Sequence, residues 1–516
     1  MKLLFTLLLS VTFFVVAPLA AQPAIQWQIS LGGSGVDFGE YMCNTRDSGY
    51  LIIGYTSSSD GYVHAYHDSD EVWLVKLSAT GNIEWQKSYG GNRNDDGTSI
   101  LATLDGGYII TAVTNSTDGD VIFNHGGYDV WLIKINDTGK IQWQKTYGGS
   151  QSDGVFAIMQ KADSSYVFSG FSRSVDGDLT QNAGVQDAWV VGINDTGKIL
   201  WQKSFGGTSS EYALGITKAK NGAVWVCGYT NSIDGVFSAS HGGTDGWVAQ
   251  LDDTGAINWL KTYGGSLSDG FWAITACKEG GLIAGGGAYS TGGQVTGNHG
   301  SGDIWLARLD DTGSILWQKC YGGSNVEGAN SIQQTADSGF FVAGYSSSID
   351  GDATACNGNA DFWCLKIDAS GTLQWQRSMG GTQDEAAYCG VVTNDGGFAL
   401  AGYSQSNDVD ITNAHGSFDV WVIKLSFTAS TPVISQLQAA IKVYPNPASG
   451  LVNISLPAEL VDATLSLSNA LGQVVFTNSA AGTRRQIDLA NVPEGLYFLN
   501  IKNALGQVST KIVCAR

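Results

Sequence analysis

The phrase Trp-Gln-x-Ser/Thr-x-Gly-Gly starts at Trp27 and returns at Trp85, Trp143, Trp201, Trp259, Trp317 and Trp375, every interval being 58 residues. Trp259 is followed by Leu260 instead of Gln, and the Trp317 copy carries Cys320 in place of the hydroxyl. A second phrase, Asp/Glu-x-Trp followed by a hydrophobic residue, sets Trp73, Trp131, Trp189, Trp247, Trp305, Trp363 and Trp421 on the same spacing. Fourteen of the 16 tryptophans therefore lie on one lattice. A chain with that period is an array of identical supersecondary units, each unable to bury its apolar face alone.

Within a unit the pattern is that of strands. In the first, Glu40 to Thr45 is followed by the turn Asp47-Ser48-Gly49, and Tyr50 to Tyr55 is apolar enough for burial on both faces. A long polar loop precedes Val72 to Leu77, and Ile83 to Tyr89 puts Glu84, Gln86 and Ser88 on one side, as an outer edge strand requires. Four strands per unit, tight glycine turns and no helix describe a propeller blade. The array begins with a lone fourth strand, Ile25 to Leu31, and ends with a third strand, Val420 to Leu425, that has no Trp-Gln partner. The orphan completes the last unit, so the reading is an all-β, seven-bladed β-propeller closed by its N-terminal strand. Up-and-down connectivity puts the long second-to-third loops and the Gly-Gly crossings on one face of the disc, where binding is to be sought.

Composition narrows the partners. Net charge is −20, which repels nucleic acid and anionic membrane. Lys2 precedes an apolar run from Leu3 to Val16 and the stretch Ala17-Pro18-Leu19-Ala20-Ala21, so residues 1–21 read as a secretory signal peptide. No other run approaches the roughly 20 apolar residues that span a bilayer, so the chain does not read as an integral membrane protein. The eight cysteines do not recur with the repeat and read as buried thiols, not as a disulfide framework.

Several constellations carry chemistry. Asp118 with Asp120, Asp176 with Asp178, Asp350 with Asp352, and Asp408 with Asp410 place oxygen ligands at alternate loop positions. No cofactor is fixed by such a pattern, and calcium is the cation it suits. His67, His125, His241, His299 and His415 share a position four residues before Glu71, Asp129, Asp245, Asp303 and Asp419, as expected of a pair bonding loop to strand. Asp37, Asp95, Asp153, Glu211, Asp269, Glu327 and Glu385, four residues past each Gly-Gly, are expected near the channel mouth, accepting backbone N–H bonds and drawing cations. The triplets at Asp137, Asp195, Asp253 and Asp311 copy an aspartic-protease signature but sit at a hairpin turn, where Asp and Gly are ordinary. Departures from symmetry point to ligand contacts: His64 and Tyr66 in the odd first loop, Tyr212 in unit four, Trp272 in unit five and Tyr388 in unit seven.

After Leu425 the repeat stops. Residues 427–441 read as a linker between the propeller, 22–426, and a small C-terminal β-sandwich, 442–516. That last segment carries Tyr444-Pro445-Asn446-Pro447 followed by Gly450, then Gly495-Leu496-Tyr497, and finally Lys511-Ile512-Val513. In order and spacing these marks resemble the type A C-terminal sorting domain of the bacterial type IX secretion system. The resemblance implies Pro445, Asn446, Pro447, Gly450, Gly495, Tyr497 and Lys511 as the sorting signal, the type IX machinery as a partner, and an address at the cell surface or beyond the outer membrane. The 58-residue units resemble the secreted bacterial β-propeller repeats labelled SBBP-type. The function expected is a non-enzymatic binding or adhesion module for an extracellular glycan or protein. The alternative is a carbohydrate-active enzyme, hydrolase or lyase, with its site on the long-loop face.

Overall fold

The computed structural model describes residues 22–64, 69–179, 181–426 and, with short breaks, 441–515. The segment read as signal peptide, residues 427–440 of the linker, and Tyr66 and His67 lie outside the described residues. The chain divides into two compact units, one Pro23–Phe427, the other including Thr428–Arg516.

The first unit is seven four-stranded antiparallel sheets. Blade 1 is Asp37–Asn44, Tyr50–Thr56, Glu71–Leu77 and Ile83–Tyr89, and blades 2 to 6 repeat it from Asp95, Asp153, Glu211, Asp269 and Glu327. Blade 7 is Glu385–Val392, Phe398–Ser404 and Asp419–Leu425, with Ile25–Leu31 as its outer strand, Ser30 opposite Trp421. The first strands ring the axis, and the core is a series of apolar layers between successive blades. Among the described residues the one helical element is a 3-10 turn, Gly235–Phe237.

The Trp-Gln phrase has a direct cause. The third-strand tryptophans are buried, and a buried indole N–H needs an acceptor. In six blades the fourth-strand Gln supplies it, from Trp131 Nε1 to Gln144 Oε1 at 2.6 Å through Trp189 to Gln202 at 3.0 Å. The Gln amide then donates onward to the long loop, as Gln28 does to the Asp410 carbonyl at 2.6 Å in the closing strand. Blade 4, with Leu260, leaves Trp247 Nε1 unpaired and fills the space with Phe237 from the 3-10 turn. On the opposite face a buried ammonium near the end of the third strand clamps the first turn. Lys76 reaches Asp47 at 2.8 Å, and Lys134, Lys366 and Lys424 each reach Asp105, Asp337 and Asp395 at 2.9 Å.

The C-terminal unit is two sheets, one of Lys442–Tyr444, Leu451–Ser455 and Arg484–Asp488, the other of Thr464–Asn469, Val474–Asn478, Gly495–Asn503 and Gly506–Cys514. They close on one core that includes Val452, Ile487, Leu467, Leu499 and Ile512, which makes a β-sandwich. Asn446 fastens the Tyr-Pro-Asn-Pro segment to the last strand, donating to the Lys511 carbonyl at 2.8 Å and accepting from Val513 N–H at 2.9 Å. The buried Tyr497 donates to the Pro493 carbonyl at 2.9 Å.

Candidate functional site

Most of the repeated acidic residues are spent on the scaffold. Asp37 and its six counterparts are buried, and each accepts the second Gly-Gly amide at 2.7–2.9 Å. They form a structural belt, and Asp153 also borders the axial cavity. Asp118, Asp176, Asp350 and Asp408 each accept the amide just past the same glycines at 2.7–2.9 Å. Asp120, Asp178, Asp352 and Asp410 take the first glycine's amide at 3.2–3.4 Å. These tethers account for the Asp-x-Asp pattern, and among the described residues no group of three histidine, cysteine or acidic side chains is disposed to hold a metal ion. They also explain the glycines: a Cβ on Gly149 would come within 2.5 Å of Asp176. The His–Asp pairs hold loop to strand, as in His125 Nδ1 to Asp129 at 2.7 Å and His299 Nδ1 to Asp303 at 2.6 Å. The Asp-Thr-Gly triplets lie in exposed turns. All eight cysteines are free thiols.

What remains is the axis. Every first strand carries a β-bulge at its fourth residue, between Gly39 and Tyr41 in blade 1 and at the equivalent place in the other six. A bulge inserts one unpaired residue and re-aims its side chain, a device found beside binding sites. The seven bulged residues are Glu40, Thr98, Phe156, Leu214, Trp272, Asn330 and Tyr388, all half-buried and all lining one axial cavity of about 1010 Å³. A scaffold of near-identical blades thus carries seven different side chains at the one position that faces the cavity from every side.

The ring is polarised. Phe156, Leu214 and Trp272 form an apolar arc on blades 3 to 5. The Trp272 indole is seated on Gly287 and Gly328, where a Cβ would come within 2.9 Å of it. Other blades put Tyr, Phe or Val at the Gly287 position, so blade 5 exchanges that side chain for the indole. Across the axis stand Glu40, Asp96, Tyr55, Tyr128 and Tyr388. Above them runs a rim of aromatic contacts: Phe38 stacks on Tyr55 with centroids 5.2 Å apart and on Phe418 at 4.9 Å, and Tyr388 meets Tyr403 at 5.9 Å.

Glu40 and Asp96 are the chemically distinctive pair. Burial, and then the charge of Asp96, pushes Glu40 up to about 7. Burial, followed by the charges of Asp70 and Asp95, raises Asp96 to about 7. One Asp96 oxygen is shut from solvent with no hydrogen-bond partner. Of the two basic groups lining the cavity, Arg173 on blade 3 is already engaged by Gln186 at 3.0 Å and Lys218 on blade 4 is exposed.

Of the ligand contacts expected from sequence, Trp272 and Tyr388 enter the cavity together. Tyr212 is on the rim, 4.8 Å from the Tyr229 ring, and His64 is exposed on the blade 1 loop. Sequence reasoning missed Glu40, Asp96, Thr98, Phe156, Leu214 and Asn330. One signal could have found the ring: the bulge position is the first-strand position at which seven blades carry seven different residues.

Comparison with known proteins bears on the C-terminal unit first. Residues 442–515 match the family described as secretion system C-terminal sorting domain. That domain indicates export by type IX secretion to the cell surface or the extracellular space. No helix among the described residues is long and apolar enough to cross a membrane. The regulatory protein FlaEY of Caulobacter vibrioides is 23% identical over 429 residues, 73% of this chain and 44% of that one. The extracellular domain of a putative hybrid two component system from B. thetaiotaomicron is similar at 10% identity and a TM-score of 0.39, covering 93% of this chain and 55% of that one. PorZ, a surface component of the type-IX secretion system of Porphyromonas gingivalis, gives 10% identity and a TM-score of 0.30 over 91% and 69%. The chain spans less than half the length of the curated relative and little over half of the first of these structures.

Proposed function

We propose that this exported propeller is a recognition module that holds an extracellular saccharide in its axial cavity. The observation that carries the reading is the bulge ring, which turns seven near-identical blades into one asymmetric site. A seated indole and a tyrosine-rich rim offer flat apolar faces to sugar rings, and Glu40, Asn330, Thr98 and the tyrosine hydroxyls offer edge hydrogen bonds. On this reading residues 1–21 are removed as a signal peptide, the SBBP-like repeats are the scaffold, and the sorting domain is the address. A glycan array probed with the exported protein tests it. Specific binding that Trp272→Ala abolishes is the expected result, and a blank array overturns the reading.

The Glu40–Asp96 pair supports a second reading, a glycoside hydrolase. Two carboxyls with raised pKa in a cavity are the equipment of acid–base catalysis. Release of reducing ends by the wild type, lost in Glu40→Gln, decides for the enzyme; saturable binding without turnover decides for the module.

A further inference from the structure

Glu40 and Asp96 stand on neighbouring blades facing one cavity, and their surroundings are unbalanced. The Glu40 carboxyl has no hydrogen-bond or ion-pair partner among the described residues. Asp96 has a buried, unpartnered oxygen and, beside it, the further carboxyl of Asp70. Among the described residues no cation pairs with them. Arg173, on blade 3, is bound to Gln186 and lies 6.0 Å over the Phe171 ring, and Lys218 ends the blade 4 first strand as an exposed side chain. Tyr55 and Tyr388 flank Glu40, and Tyr55 and Tyr128 flank Asp96. Carboxylates framed by aromatic rings make a cage for an organic cation. A metal ion is the poorer fit, since calcium asks for six to eight oxygens and, among the described residues, no three acidic side chains are disposed to hold one.

We infer that the axial cavity takes a saccharide bearing a free amino group, its ammonium lodged between Glu40 and Asp96 and its rings lying towards Trp272. The inference deepens the saccharide reading and rests on it. Size and polarity agree: about 1010 Å³ holds several sugar rings, with an acidic wall on blades 1 and 2 and an apolar arc on blades 3 to 5. The cage explains what a neutral ligand does not, why two acids, one with an oxygen shut from solvent, face one cavity with no protein cation beside them among the described residues. An ammonium ionises both and keeps them ionised.

The test is titration calorimetry of the full exported protein with two matched probes near neutral pH, a glucosamine tetramer and its N-acetylated counterpart. The aminated probe is expected to bind about tenfold or more tightly, an advantage that weakens with added salt. In the Glu40→Gln/Asp96→Asn double variant the advantage disappears, the affinities for the two probes becoming equal within about twofold. In Trp272→Ala both probes weaken together. Equal binding of the two probes by the wild type, or preference for the acetylated one, overturns the inference and leaves the saccharide reading standing. Binding of neither overturns both. A lysine-containing tetrapeptide that binds as tightly as the aminated sugar also overturns it, because the amine is then read without the sugar.

Discussion

At the scale of single residues the repeat is a set of buried polar pairs, and its departures are informative controls. Gln144 accepts the Trp131 indole N–H and anchors the loop carbonyl of Asp120. Gln144→Leu orphans both partners. Leaving a buried donor unpaired costs about 1–3 kcal/mol, so this variant is expected to lose about 2 kcal/mol of stability by denaturant titration. Gln144→Glu keeps the acceptor and loses only the onward donor, and is expected to fall in between. Blade 4 shows why the loss is not universal: Leu260 cannot accept from Trp247, but Phe237 is fully buried against that indole, 5.8 Å between centroids. Gln144→Leu in blade 2 brings no such compensation. A variant as stable as wild type would show that the Trp-Gln pair is not what fastens loop to blade.

At the scale of elements, the blades were legible and the bulge was not. Strand positions, blade number and closure by Ile25–Leu31 follow from period and burial, because each strand answers to the same apolar pattern 58 residues on. The bulge escapes such reading because one extra residue in an eight-residue strand does not disturb a period counted between strands. Its side chain also faces neither blade layer, so it carries no apolar signature. For the same reason Trp272 was legible as an anomaly, whereas Glu40, a polar residue in a plausible strand, was not. The Lys–Asp clamps were missed because Lys76 and Asp47 are far apart in sequence and lysine is ordinarily a surface residue. The bulge makes a sharp prediction. Both substitution and deletion there should be tolerated, because the residue is supernumerary: without it Phe271 still faces Gly286 and Ala273 still faces Gly285. Trp272→Ala and deletion of residue 272 are each expected to keep one cooperative thermal transition, whereas deletion of the paired Ala273 should cost far more, because it slips the register of the rest of the strand. Loss of the cooperative transition on deleting residue 272 would mean that the bulge itself is needed to close the blade.

At the scale of the whole molecule the propeller accumulates buried carboxyls whose native pKa lies above the unfolded one. Burial is the first cause in each: Glu40 and Asp96 rise to about 7 and Asp129 and Asp361 to about 6, with Asp37, Asp95, Asp187, Asp245, Asp303 and Asp419 moved the same way. A group raised in this way is protonated in the fold at pH values where the unfolded chain has released its proton. Between about pH 4 and 7 the native state therefore binds more protons than the unfolded state, and stability falls as pH rises. The opposite set acts lower down. Asp47 and Asp105 pay a desolvation cost that bonds from Lys76, Lys134 and neighbouring threonines outweigh, and both fall to about 2. Hydrogen bonds from Ser338 and Gln334 lower Glu279 likewise. Their contribution is present above the unfolded pKa and is lost only as pH drops towards 2. The two sets together put the stability maximum near pH 5, on the acid side of neutrality. Thermal unfolding of the exported protein is expected at a higher Tm at pH 5 than at pH 8, by on the order of 5 °C. Glu40→Gln/Asp96→Asn should raise the pH 8 value more than the pH 5 value, since it removes two groups that resist ionisation. A Tm that is flat or rises from pH 5 to 8 would mean that water or a bound cation already satisfies the axial carboxyls, and the same scan repeated with the aminated tetramer would then tell which.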